Sequence, residues 1–219
     1  MSTWNAEEKL EPTRFTCTSS NCKQNLHCFL PNEEMKAAKQ FGQCRECGVE
    51  LVDWKRVYKR NLIDATYTFQ CLKTELFRHH MWHVEISQKA INHARRKGKI
   101  GLRVAAKKEI YKSVGLAEPR YIDGLQTPRD DSEKATAIHY AQHATACCCR
   151  KCIEYWHNIP VGHELTETEL EYFTNLVILY IEERLSYLTE NGEKVPRIRK
   201  ITPEKSSKED EKGKRSNGN

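Results

Sequence analysis

The chain has 219 residues, 30% of them charged, with a net charge of +6 and ten cysteines. No stretch approaches the roughly 18 uninterrupted apolar residues of a membrane helix, and "MSTWNAEEKLEPTRF" lacks the apolar centre of a secretory signal. A cytoplasmic location is therefore expected, and cysteines kept reduced there point to metal ligation rather than disulfides.

Residues 1–14 read as a loose polar tail, and residues 15–66 as a zinc-ribbon-like domain. That second segment carries five cysteines and few apolar runs, so it needs a metal to fold. "CRECG" (Cys44 to Gly48) is a knuckle: two residues between thiolates turn backbone amides towards the sulfurs, and the glycine permits a left-handed turn. With the looser pair Cys17 and Cys22, it gives a Zn2+ set of Cys17, Cys22, Cys44 and Cys47, for which Cys28 and His27 are alternates. "CGVELVDWKRVYKR" (Cys47 to Arg60) alternates imperfectly and predicts a turn and a short strand.

Residues 67–190 predict a helical Cys/His domain. Thr68 to Gly98 reads as one helix, with Leu72, Leu76, Met81, Ile86, Ala90 and Ile91 on a stripe. A second helix is expected over Leu102 to Val114. Within the first, His79 and His83 lie four apart, a spacing that could face a metal or a phosphate, or simply pack. Gly115 to Lys134, with two prolines, is a long loop of the kind that often serves function. A helix from Thr136 to about Cys149 follows. Thr166 with Glu169 forms a capping box that opens an amphipathic helix to about Leu188, with Leu170, Phe173, Val177, Tyr180 and Ile181 inward. Residues 191–219 read as a disordered charged tail. The fold class expected is mainly α, with short β structure confined to the ribbon.

"HATACCCRKCIEYWHNIPVGHELT" (His143 to Thr166) holds the second cluster. Cys149 and Cys152 have knuckle spacing and His157 follows five residues later, so with His143 they could form a Cys₂His₂ zinc site. Cys148 and His83 are alternates. Other chemistries fit less well. "HYAQH" (His139 to His143) lacks the glutamate of the zinc proteases. The zinc deaminases need a glutamate near the histidine and a proline before the paired cysteines, and neither is present. A Cys–His nucleophile favoured by Arg150 and Lys151 lacks a third group.

"GLQTP" (Gly124 to Pro128), "AQHATA" (Ala141 to Ala146), "CCRKC" (Cys148 to Cys152) and "WHNIPVG" (Trp156 to Gly162) occur in this order, followed by Leu165. Through them, residues from about Leu76 to Leu185 resemble a bacterial and phage domain of unknown function. The chain departs from that pattern at Cys147, where threonine is usual, and at Lys151 and His163. The resemblance implies a helical fold and a shared site, and names no reaction.

Charge is segregated. From Lys89 to Lys112 nine basic side chains oppose one glutamate; from Glu164 to Glu190 seven glutamates oppose one arginine. Arg95, Arg96, Lys97, Lys99 and Arg103 are thus expected to meet nucleic-acid phosphates, and the acidic helix to meet a protein partner. The function expected is a zinc-binding, nucleic-acid-binding accessory protein. The alternative is a metal-dependent enzyme using His143, Gln142, His157 and the Gln126 loop.

Overall fold

A computed structural model describes residues 15–119, 126–196 and 198. The expected tails at 1–14 and 199–219, with Gly124 and Leu125 of the long loop, lie outside the described residues. The architecture is helical: α1 (Glu33–Ala37), α2 (Trp54–Val57), α3 (Ala65–Leu72), α4 (Leu76–His83), α5 (Gln88–Ile110), α6 (Ala137–Ala144), α7 (Arg150–His157) and α8 (Glu167–Arg184). No helix among the described residues is long and apolar enough to cross a membrane.

The main core forms where α8 packs on α5, α6 and α3, with α4 against α6. α5 buries Ala90, Ala94, Gly98, Leu102, Ala106 and Ile110. Small residues at four-residue spacing make a shallow ridge, so another helix can approach closely. α8 begins at the expected capping box: the Thr166 side chain accepts from the Glu169 N–H, and Glu169 accepts from the Thr166 N–H. It then buries Leu170, Phe173, Val177, Tyr180 and Ile181, and also Tyr172, Thr174 and Leu176.

The single helix expected over residues 68–98 is three. The chain breaks at Lys73–Glu75, where Thr74 O accepts from the His27 N–H at 2.8 Å and the Leu76 N–H donates to His27 O at 2.9 Å. Those two bonds form a parallel bridge between His27 and Glu75. The two helices expected either side of Gly98 are present within α5, joined across a kink where Gly98 adopts φ 63°. The segment after α8 lies over this kink: Lys99 N–H donates to Thr189 O and Ile100 N–H to Glu190 O, at 3.0 and 3.1 Å. Residues 191–196, expected to be disordered, pack here, with Glu193 paired to Arg95.

Residues 15–66 contain no strand among the described residues, only the bridge just described and another between Asn21 and Leu26. The strand expected after Cys47 is replaced by α2, because the Asp53 side chain accepts from the Arg56 N–H and caps a helical turn. This segment does not have a core to itself. Phe29, Cys44, Val52 and Val57 share one with Leu72, Cys148, Cys149, Cys152 and Trp156. Trp156 takes Phe29 edge-on at 5.9 Å and stands 5.1 Å from Trp54.

Gly98 combines a left-handed backbone with a close approach, since a Cβ there would lie 2.4 Å from the Asn191 carbonyl carbon. Gly98→Ala is expected to cost at least about 2 kcal/mol through backbone strain and overpacking. That corresponds to a fall in Tm of roughly 5 °C for a chain of this size, measured by thermal unfolding. An unchanged Tm would show that residues 189–193 do not hold the kink.

Candidate functional site

The structure assembles two thiol clusters. In the first, Cys22, His27, Cys44 and Cys47 place one ligand atom each within 4.8 Å of one another, and could hold a metal ion. Cys22 and Cys44 sulfurs are 3.7 Å apart, and Cys47 Sγ is 3.5 Å from His27 Nδ1. The knuckle forms as its spacing predicts: Cys44 accepts on its carbonyl from the Gly48 N–H at 2.8 Å, and Gly48 adopts φ 72°. His27 Nε2 meets Asn25 Oδ1 at 3.0 Å. As a donor to that oxygen, Nε2 carries the ring proton and Nδ1 is left bare to ligate.

Three of the four residues expected here are present. Cys17 is not among them, and His27 takes its place. The His27–Glu75 bridge fixes the backbone of His27 and delivers its ring to the knuckle, while Cys17 is drawn elsewhere. Burial raises the Cys44 thiol, but N–H groups of Cys28, Cys47 and Glu46 bring it down to about 6. Burial and the neighbouring thiols Cys47 and Cys44 push Cys22 up to about 12. A divalent cation removes that mutual penalty and deprotonates the set.

The second cluster is Cys148, Cys149 and Cys152, all buried, again within 4.8 Å and able to hold a metal ion. Cys148 and Cys152 sulfurs are 3.7 Å apart. Ala146, at φ 56°, turns the chain after α6, and Cys149 is the N-cap of α7. This turn puts three thiols at the start of a helix, where mutual contact and burial raise Cys148 and Cys152 above the ordinary thiol range. Contact with Cys148 pushes the Cys149 thiol up to about 12.

The expected histidine ligands are not in this group. α6 ends at Ala144 rather than near Cys149, so His143 points back to the long loop, where its Nε2 lies 3.0 Å from Thr127 O. His157 Nε2 lies 3.2 Å from Thr145 O, and its ring packs edge-on to Phe173 at 4.8 Å. Both rings are fully buried and both Nε2 atoms act as donors to carbonyls. Cys147 is a packing thiol beside Thr145. Gln142, read from the sequence as ordering a loop or meeting a ligand, donates to Ser113 Oγ and Cys147 O, each at 3.2 Å. The His79 and His83 rings pack against each other, tilted at 44° with centroids 4.0 Å apart.

Two residues beside the second cluster escaped the sequence reading. Arg78 and Glu75 are fully buried and paired at 3.1 Å. Arg78 also donates to His143 O at 2.6 Å, to Cys152 Sγ at 3.1 Å and to Cys148 Sγ at 3.9 Å. Glu75 further accepts from Tyr155 Oη and Trp156 Nε1, both at 2.7 Å. The available signal was the three-residue spacing of Glu75 and Arg78, which puts opposite charges on one helix face.

Four of the five candidate phosphate-binding cations have partners within the chain. Arg95 pairs with Glu193 and Lys99 with Glu190, at 2.7 and 3.2 Å. Arg103 reaches Glu171 and Asn175, and Lys107 reaches Glu167. Arg96 donates to Pro196 O at 3.3 Å, and Lys97 is half-buried. The acidic face of α8 thus meets the basic face of α5.

A family model described as a domain of unknown function, DUF4186, matches residues 66–182. The chain belongs to the DUF4186 family. The matched span takes in Glu75, Arg78 and the second thiol cluster, and leaves the first cluster outside it. No solved structure matches the chain.

Burial draws His143 and His157 down to about 3 from the ordinary 6.5, so both are neutral in the fold. The unfolded chain gains protons first as pH falls. Their stabilising contribution is therefore complete above pH 6.5 and is lost progressively from there towards pH 3. His157→Gln is expected to lose stability less steeply over pH 6.5 to 5, by about 1.4 kcal/mol per pH unit. Denaturant titrations of both proteins at three pH values measure this, and equal slopes would refute the neutral buried assignment.

Proposed function

We propose that this DUF4186 protein is a zinc-binding protein whose first metal site builds a contact surface for single-stranded nucleic acid. Zinc at 2.3 Å from tetrahedral thiolates sets neighbouring sulfurs about 3.8 Å apart. The 3.7 Å between Cys22 and Cys44 supports that ion, as does the donor set of three thiols and one imidazole.

One observation carries the nucleic-acid reading. The loops that leave the first cluster line a cavity of about 570 Å³. Phe29 and Leu30 follow His27, Phe41 and Gly42 precede Cys44, and Trp54 and Tyr58 follow Cys47. Lys151 and Tyr155 of α7 face them, and Lys36 stands at the wall. Aromatic rings can stack on bases without regard to sequence, and lysines can meet the phosphates between them. Phe41 is 61% exposed, an apolar ring with no packing account. In this reading the ion is structural: it orders the loops and takes no part in chemistry. The paired cations of α5 are secondary to the cavity.

The test is anisotropy of labelled single-stranded DNA and RNA of about a dozen nucleotides at two salt concentrations. Phe41→Ala should weaken binding roughly 5- to 100-fold, the worth of one stacked base. Removing zinc with a chelator should abolish binding, because the cavity walls lose their anchor. No binding at low salt would overturn the reading. Binding that ignores Phe41 but falls when Arg95, Arg96 and Lys97 are changed to alanine would move the interface to α5.

A further inference from the structure

We propose that Cys17, Cys148, Cys149 and Cys152 bind a second zinc ion, in a closed four-thiolate site that ties the N-terminal segment to the DUF4186 fold. The site does not depend on the first cluster, whose ligands are different residues.

The buried triad is the foundation. Three sulfurs within 4.8 Å, two of them 3.7 Å apart, have the spacing of ligands on a single ion. An iron–sulfur cubane binds each cysteine to a separate iron and needs wider spacing. Three thiols alone leave one tetrahedral position open. Cys17, which packs against the core that holds the triad, is assigned to it; its sulfur lies outside the 4.8 Å group and closes in when the ion binds. Its sulfur accepts from Gln126 Nε2 at 3.6 Å, and its carbonyl accepts from the Cys28 thiol at 3.1 Å. The side chain also packs against both hydrophobic cores, which fixes its segment.

The surroundings suit thiolates. Four thiols release four protons to solvent as zinc binds, which leaves two negative charges on the site. Arg78 reaches both Cys152 and Cys148 from its fully buried position and supplies N–H donors to their sulfurs, while Glu75 matches its charge. Hydrogen bonds of this kind to the ligand atoms tune and orient a metal site. With four protein ligands the ion has no position for water, so the site serves structure and does not activate a nucleophile.

The experiment counts zinc in the full-length protein and follows its ligands. Elemental analysis should give two ions per chain, falling to one in Cys149→Ser and to one in Cys47→Ser. Cys17→Ser should retain the second ion but release it to a chelator at least tenfold faster. In unmodified protein, alkylation with mass-spectrometric mapping should find Cys17, Cys148, Cys149 and Cys152 protected together and exposed together on chelation. This last measurement needs no variant and stands if Cys149→Ser fails to fold. One ion that is lost in Cys47→Ser and kept in Cys149→Ser would overturn the second site and leave the first. Release unchanged in Cys17→Ser, with Cys17 labelled before chelation, would overturn Cys17 as the fourth ligand. Iron with sulfide in anaerobically purified protein would overturn the single zinc ion.

Discussion

The pairing of Glu75 with Arg78 is the constraint around which the molecule is arranged. Both side chains are fully buried. Taking two charges out of water costs several kcal/mol each unless every remaining donor and acceptor finds a partner. Here Tyr155 and Trp156 of α7 complete the carboxylate, and the His143 carbonyl with two thiols completes the guanidinium. These partners lie on α7, in the turn before it and near the end of α6. Satisfying one ion pair therefore fixes α4, the end of α6 and the whole of α7 relative to one another. The backbone of Glu75 extends the arrangement outward, because its bridge to His27 sets the position of a ligand in the first cluster. Both clusters are thus hung on the two ends of one buried pair.

A second arginine works the same way without a carboxylate. Arg150 is fully buried and donates to three carbonyls, those of Val114, Pro160 and His163. Val114 lies in a single widened turn, Tyr111–Gly115, that ends α5. Such a turn disturbs the regular ladder of helix bonds. Arg150 and the Leu165 N–H, which donates to Gly115 O at 2.7 Å, meet two of its carbonyls. The motif "CCRKC" therefore joins two jobs: its cysteines gather a cluster, and its arginine closes the loops around α7.

What could be read from the sequence was what is decided locally. The Cys44–Gly48 knuckle, the Thr166–Glu169 capping box and the apolar stripe of α8 each depend on residues within a few positions of one another. The segregation of charge was also legible, but not its meaning. Basic α5 and acidic α8 oppose each other across the fold, and their adjacency depends on tertiary packing that no local pattern encodes. Choices of partner across long separations were illegible for the same reason. The sequence favours Cys17 over His27 for the first cluster, and the bridge to Glu75 decided for His27. The break at Thr74 had no glycine or proline to announce it, because it serves a contact with residue 27. His143 and Cys149 seemed to share a helix, since nothing in "HATAC" marks the left-handed turn at Ala146.

The shared core of Phe29, Trp54 and Trp156 has a consequence for how the chain is made. Phe29 leaves the ribosome more than 120 residues ahead of Trp156, the ring it packs against. Loop-closure entropy makes such distant pairings late events in folding. The N-terminal cysteines are thus synthesised first and sheltered last. During that interval their thiols stand open to oxidants and to adventitious metals, so the speed with which the helices close behind them guards the chemistry of the segment in front.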